Sequence, residues 1–241
     1  MEKRPNLDYR IPQVVIAPLA TGEIAEGSTA QEIYEAVPKI LRVNTRYDEK
    51  AKAVIGSTNL LAVGVDDVVQ PMGFRTLRLT DLSRPEVMDF ARGKHYVDSR
   101  SLVARSAQDT DWEKNNALLT RVNQLVEERE GSLRFPFMIE GFSYVPDESG
   151  GYGVTLVSKP DFRVVQDERL LSKQNGKKFN NVDELGLPIF DKSGSRTWYT
   201  RDKGLSGLYL GDDLGLYSGR SLGYSGDGGR VVVVSAEGTR V

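Results

Sequence analysis

The chain has 241 residues, room for one large domain or two small ones, with a formal net charge of −2 and no cysteine. That charge excludes a global pull toward nucleic acid or an anionic membrane, so either contact would need a local patch. The missing cysteines exclude a disulfide framework, a thiolate metal site and a cysteine nucleophile.

Residues 1–10 are polar and charged, unlike a signal peptide, and no apolar run reaches the ~20 residues of a spanning helix. The expected setting is therefore cytoplasmic, with no membrane. Val14 to Ala17 reads as a short buried strand. Ser28 and Gln31 have capping-box spacing, and Ile33, Val37, Ile40 and Leu41 form a helical face that Pro38 should kink or end. Ala53 to Ile55 and Leu60 to Val65 read as strands separated by Gly56-Ser57-Thr58-Asn59. Phe74 to Leu79 alternates apolar and polar, as a half-buried strand does. Ser83, Pro85 and Glu86 open a short helix that Gly93 closes, and His95 to Ala104 reads as a strand.

The best-marked helix spans Thr110 to Glu130. Thr110 and Glu113 have capping-box spacing, Leu118, Val122 and Leu125 make one apolar column with Leu119 and Val126 beside it, and Gly131 is a natural stop. Leu133 to Val145, a turn over Pro146 to Gly151, and Tyr152 to Val157 predict a β-hairpin for that helix to lie on. Phe162 to Leu171 predicts a strand, Asn175-Gly176 a hairpin turn, and residues 180–196 a loop.

An eight-residue repeat follows. Gly207-Leu208-Tyr209-Leu210-Gly211-Asp212-Asp213-Leu214 is succeeded by Gly215-Leu216-Tyr217-Ser218-Gly219-Arg220-Ser221-Leu222, and Gly223-Tyr224-Ser225-Gly226 begins a shorter copy. Glycine this dense costs a helix about 1 kcal/mol each, so the repeat predicts an antiparallel meander of short strands at 207–210, 214–217 and 222–224. Leu208 and Leu210 share one face and Tyr209 takes the other; Leu214, Leu216 and Tyr217 divide in the same way. Val231 to Val234 is continuous β-branched sequence, the pattern of a strand buried on both sides.

Strands and helices mix without regular βαβ alternation, which makes the expected class α+β. The expected layout is a mixed N-terminal region, residues 1–158, with three helices packed on strands, and a β-rich region, residues 159–241, with a soft boundary that permits one shared core.

The runs Gly186-Leu187-Pro188-Ile189-Phe190-Asp191, Arg196-Thr197-Trp198-Tyr199-Thr200-Arg201, Gly204 to Leu210 and Gly229 to Gly238 together resemble the tail of small uncharacterised proteins of DPANN-type archaea. The resemblance covers about the last quarter of the chain. It implies an intracellular archaeal protein; the group carries no assigned activity, so it transfers no site residue.

Candidate chemistry is sparse. His95, the single histidine, lies near Asp89, Asp98, Ser99 and Ser101 in sequence, so a Ser/His/Asp hydrolase arrangement can be drawn, although the G-x-S-x-G elbow is absent. The pairs Asp66-Asp67, Asp147-Glu148, Asp167-Glu168, Asp183-Glu184 and Asp212-Asp213 read as turns or solvated edges. Asp212-Asp213 lacks calcium-loop spacing, and no phosphate-binding glycine loop occurs, so neither a metal nor a cofactor is expected. Residues 159–203 interleave cations, Lys177 and Lys178 among them, with Phe162, Phe179, Trp198 and Tyr199, which suits a single-stranded nucleic acid. The leading expectation is a non-enzymatic binding or protein-interaction module that contacts a protein partner or a second copy through Tyr209, Tyr217 and Tyr224. A nucleic-acid-binding module using Lys177, Lys178, Trp198 and Tyr199, and a hydrolase centred on His95, stand as alternatives.

Overall fold

The computed structural model describes residues 14–17, 30–50 and 53–235. Ser28 and the two chain ends lie outside the described residues. In chain order the elements are β1 (Val14–Ala17), α1 (Ala30–Ala36), β2 (Arg46–Asp48), β3 (Ala53–Ile55), α2 (Asn59–Val69), β4 (Phe74–Thr76), α3 (Pro85–Ala91), β5 (Tyr96–Ala104), α4 (Glu113–Glu130), β6 (Phe137–Pro146) and β7 (Val154–Gln166). Then follow β8 (Lys178–Val182), β9 (Pro188–Phe190), β10 (Arg196–Thr200), β11 (Leu205–Leu210), β12 (Leu216–Ser218) and β13 (Gly229–Ser235). The class is α+β. No helix among the described residues is long and apolar enough to cross a membrane.

Among the described residues, eleven strands form one sheet, and β2 pairs with β3 apart from it. The hub is β5. It carries antiparallel β11 on one edge, and parallel β13 and antiparallel β6 on the other. From β11 the sheet continues through antiparallel β12 and parallel β10 to β8 and β9. Position 158 falls inside β7, and β13 pairs with β1 and β4, so strands from both sides of that position share the sheet.

The sheet separates two apolar cores. Leu102, Val231 and Val233 face one, against α2 and the α4 stripe of Leu118, Leu119, Val122, Leu125 and Val126. Val103, Val232 and Val234 face the other, with Leu79, Val87, Phe179 and Trp198. The alternation of Val231 to Val234 between the two cores is what continuous β-branched sequence anticipates.

Several elements depart from the sequence reading for identifiable reasons. Leu60 to Val65 is helical, not extended: α2 is buried on nearly every side, so its apolar residues show no period, and its start signal is Thr58, whose side chain accepts from the Leu61 N–H at 3.0 Å. This makes four helices among the described residues rather than three. The start of α4 is held by Asp109, which accepts from the N–H groups of Asp111 and Trp112, and not by Thr110. Asn175 and Gly176 do form a turn, but Asn175 has φ −57° and ψ 139° before a left-handed Gly176, a type II arrangement that no strand precedes. Residues 180–196, read as loop, contain β9 and the ends of β8 and β10. In the repeat, β11 and β12 are antiparallel as expected, whereas residues 222–224 form a turn and β12 pairs in parallel with β10.

Val122 is fully buried in the α4 stripe. Val122→Asp should therefore cost at least about 3 kcal/mol, because the carboxylate would lie in an apolar core without a partner. Urea unfolding of the variant beside the parent measures this; equal stability would place the stripe in solvent.

Candidate functional site

A register break in β5 creates the most distinctive surface. β11 follows β5 from Leu205 opposite Ala104 to Gly207 opposite Leu102, then resumes with Tyr209 opposite Asp98. Leu208 and Leu210 point into the second core, and Tyr209 takes the opposite face, as the repeat predicted. On that face Tyr209 sits directly across from Tyr217 of β12, and Tyr217 directly across from Tyr199 of β10. Ring centroids are 5.5 Å apart for Tyr209 and Tyr217 and 6.4 Å for Tyr217 and Tyr199, with Tyr96 of β5 edge-on to Tyr209 at 5.9 Å. Exposure rises along the row: Tyr209 is 8% exposed, Tyr217 partly exposed and Tyr199 48% exposed.

Over the inner end of this row lies Arg220, from the irregular segment between β12 and β13. Its guanidinium carbon is 4.8, 4.4 and 4.4 Å from the ring centres of Tyr96, Tyr209 and Tyr224, within cation–π range of all three. Tyr224 remains 47% exposed. The Tyr96 hydroxyl accepts from the Gly226 N–H at 2.6 Å, which ties the segment to β5.

Asp98 lies beneath, buried, and accepts a hydrogen bond from the equally buried Ser57 hydroxyl. Burial pushes its carboxyl up to about 7, opposed by the Ser57 bond and the positive Arg220. Burial likewise raises the Tyr209 phenol to about 12. Tyr217 also rises, through burial and through the Asp213 carboxylate that accepts its hydroxyl hydrogen.

Of the residues singled out in the sequence, Tyr199, Tyr209, Tyr217 and Tyr224 come together here. Lys178 joins their face, since it pairs with Thr197 across β8 and β10 and its ammonium donates to the Thr197 hydroxyl at 2.7 Å. Trp198 does not join them: it is fully buried in the second core, because alternation along β10 sends it opposite to Tyr199. Lys177 instead covers the Phe190 ring at 5.1 Å. Tyr96, Asp98 and Arg220 complete the cluster and were not assembled by sequence reasoning. Arg220 was visible in the repeat, but what brings it to Tyr96 is a contact across the sheet with no local spacing.

The other constellations resolve into structure. The His95 ring stacks on Phe90 at 4.6 Å, with its pKa lowered by burial and by Arg230, while Asp98 bonds Ser57 directly, Ser99 donates to the Leu208 carbonyl and Ser101 to Glu140. Asp66 is not a solvated edge: buried on α2, it pairs with Arg100 at 2.5 Å and accepts from the Thr76 N–H. Asp213 accepts from the Gly215 N–H and from Tyr217. Most cations of the basic stretch face acids: Lys159 with Asp66 and Asp67, Arg163 with Glu140, Arg169 with Asp167 and Asp183, Lys173 with Glu168, Arg201 and Lys203 with Asp111. Among the described residues no group of histidine, aspartate or glutamate side chains is arranged to hold a metal ion.

No model of a known protein family, no curated protein and no solved structure matches the chain.

Asp98 sets a pH dependence whose sign follows from its raised pKa. A buried carboxyl held above its unfolded value of about 4 contributes stability that is fully present below that pH and is lost as pH rises through about 7. Asp98→Asn, which cannot ionise, should be more stable than the parent by roughly 2–4 kcal/mol near pH 8, with the gap closing toward pH 4. Denaturant unfolding across that range measures it; a variant less stable than the parent near pH 8 would show that the ionised carboxylate supports the fold.

Proposed function

We propose that the protein is a non-enzymatic binding module that engages a protein partner, or a second copy of itself, through the tyrosine row on β10, β12 and β11. The observation that carries this reading is the in-register run of Tyr209, Tyr217 and Tyr199, which begins in the core and ends about half exposed. Tyrosine suits an interface because it offers a large, rigid apolar ring at small conformational cost and a hydroxyl for a hydrogen bond. Tyr217 stacks on the buried Tyr209 and Tyr199 lies tilted against Tyr217, and rings held by their neighbours lose less entropy on contact.

A single-stranded nucleic acid is the second reading, supported by Lys178 beside Tyr199 on the same face. The ion pairing of most cations in residues 159–203 weighs against it, since neutralised cations release fewer counterions on binding.

Tyr199→Ala combined with Tyr217→Ala should cost about 1–3 kcal/mol, because Tyr217 stacks on Tyr209 and bonds Asp213, yet leave the protein folded by circular dichroism while reducing partner retention, or self-association by sedimentation, at least about tenfold. Retention on immobilised single-stranded DNA or RNA that falls steeply with salt and depends on Lys178 would select the second reading. Undiminished association of the double variant would contradict the tyrosine row as a contact face.

A further inference from the structure

The segment carrying Arg220 shows what the inner end of the row accepts. Three tyrosine rings, from β5, from β11 and from the loop after β12, converge on one guanidinium, each within 4.8 Å of its carbon. The negative faces of aromatic rings attract cations, and a planar guanidinium can stack on rings where a compact ammonium cannot. The buried Asp98 lies opposite Tyr209 in the β5–β11 register and so shares the face of the rings.

The resident cation fits this seat imperfectly. Among the described residues, Arg220 Nη1 is buried yet finds no hydrogen-bond acceptor, and a buried donor without an acceptor weakens its own placement. The frame is fixed elsewhere. The Asn44 side-chain amide donates to the Gly223 carbonyl at 2.8 Å, and the Gly226 N–H donates to the Tyr96 hydroxyl. Neither of these contacts uses the Arg220 guanidinium, and Tyr224 beside it is about half exposed.

We propose that Tyr96, Tyr209, Tyr224 and Asp98 form a guanidinium-binding seat that Arg220 fills in the isolated chain and that an arginine side chain of a protein partner occupies when Arg220 swings out. This rests on the reading of the tyrosine row as a contact face and names the group on the partner that the face selects. Arg220 then acts as an internal competitor: apparent affinity for the partner's arginine is the intrinsic affinity multiplied by the fraction of molecules in which the seat is empty.

The direct test is Arg220→Gln, which empties the seat, titrated with methylguanidinium chloride and followed by the resonances of the three tyrosines. Saturable binding is expected, at least about tenfold tighter than to the parent, and lost when Tyr209→Leu is added. A capped Gly-Arg-Gly peptide should bind the same seat and capped Gly-Lys-Gly should not, which separates a peptide arginine from a generic cation. Non-saturating shifts, or binding indifferent to Tyr209→Leu, would overturn the proposal. Should Arg220→Gln fail to fold, the parent serves: its Arg220 Nε–H signal should move from a ring-shielded position to that of free arginine on saturation with the arginine peptide, and a signal that stays in place overturns the proposal. Partner retention by the Tyr199 and Tyr217 double variant is measured separately. A seat that takes up no guanidinium beside a row that still requires those two tyrosines removes this inference and leaves the contact face standing.

Discussion

Four consecutive polar side chains, Asp98 to Ser101, are buried in the middle of the central strand β5, and much of the architecture follows from meeting them. A buried polar group without a partner costs about 1–3 kcal/mol, and an unpaired charge more, so each must be answered by another element. Ser57, just before α2, answers Asp98; the Leu208 carbonyl of β11 answers Ser99; Asp66 of α2 answers Arg100; Glu140 of β6 answers Ser101. The partners come from both neighbouring strands and from the helix laid across the sheet. Asp66 extends the network to β4 through the N–H and hydroxyl of Thr76.

The same stretch explains why the tyrosines line up. Between Gly207 and Tyr209 the ladder of β5 and β11 is interrupted, which frees the carbonyls of Ser99 and Ser101. Asn59, at the start of α2, supplies both with its amide at 2.9 and 3.3 Å and accepts the Tyr144 hydroxyl in return. With the irregularity stabilised in this way, β11 re-enters register so that Tyr209 faces Asp98 and, across β12, Tyr217 and Tyr199. The tyrosine row is thus a consequence of how a polar strand was accommodated, and Arg220 closes its inner end over Tyr209, beside Asp98, whose carboxyl burial drives upward.

Local patterns in the sequence were reliable where they were strong. The α4 stripe, the end of α1 before Pro38 and the burial of Val231 to Val234 on both sides are legible because side-chain period, proline chemistry and β-branching act over a few residues. The opposed faces of Leu208 and Tyr209 were legible for the same reason. α2 was misread because a helix buried on all sides loses the period that marks it, and the third copy of the repeat because glycine density signals bends without saying whether a strand lies between them. The grouping of Tyr96 with Tyr209, of Ser57 with Asp98 and of Asp66 with Arg100 was not legible: these are contacts between segments far apart in the chain, fixed by sheet register rather than by spacing. Trp198 was assigned to the surface through its neighbour Tyr199, when the strand period places the two on opposite faces.

The tyrosine row passes from core to solvent, and the per-residue rate of tyrosine nitration in the folded protein, read by peptide mass spectrometry, tests this most directly. Tyr199 and Tyr224 should react first and Tyr217 more slowly, while Tyr209 should react only as fast as the protein unfolds. Equal rates at all of these positions, or protection of Tyr199 to the level of Tyr209, would contradict the graded face.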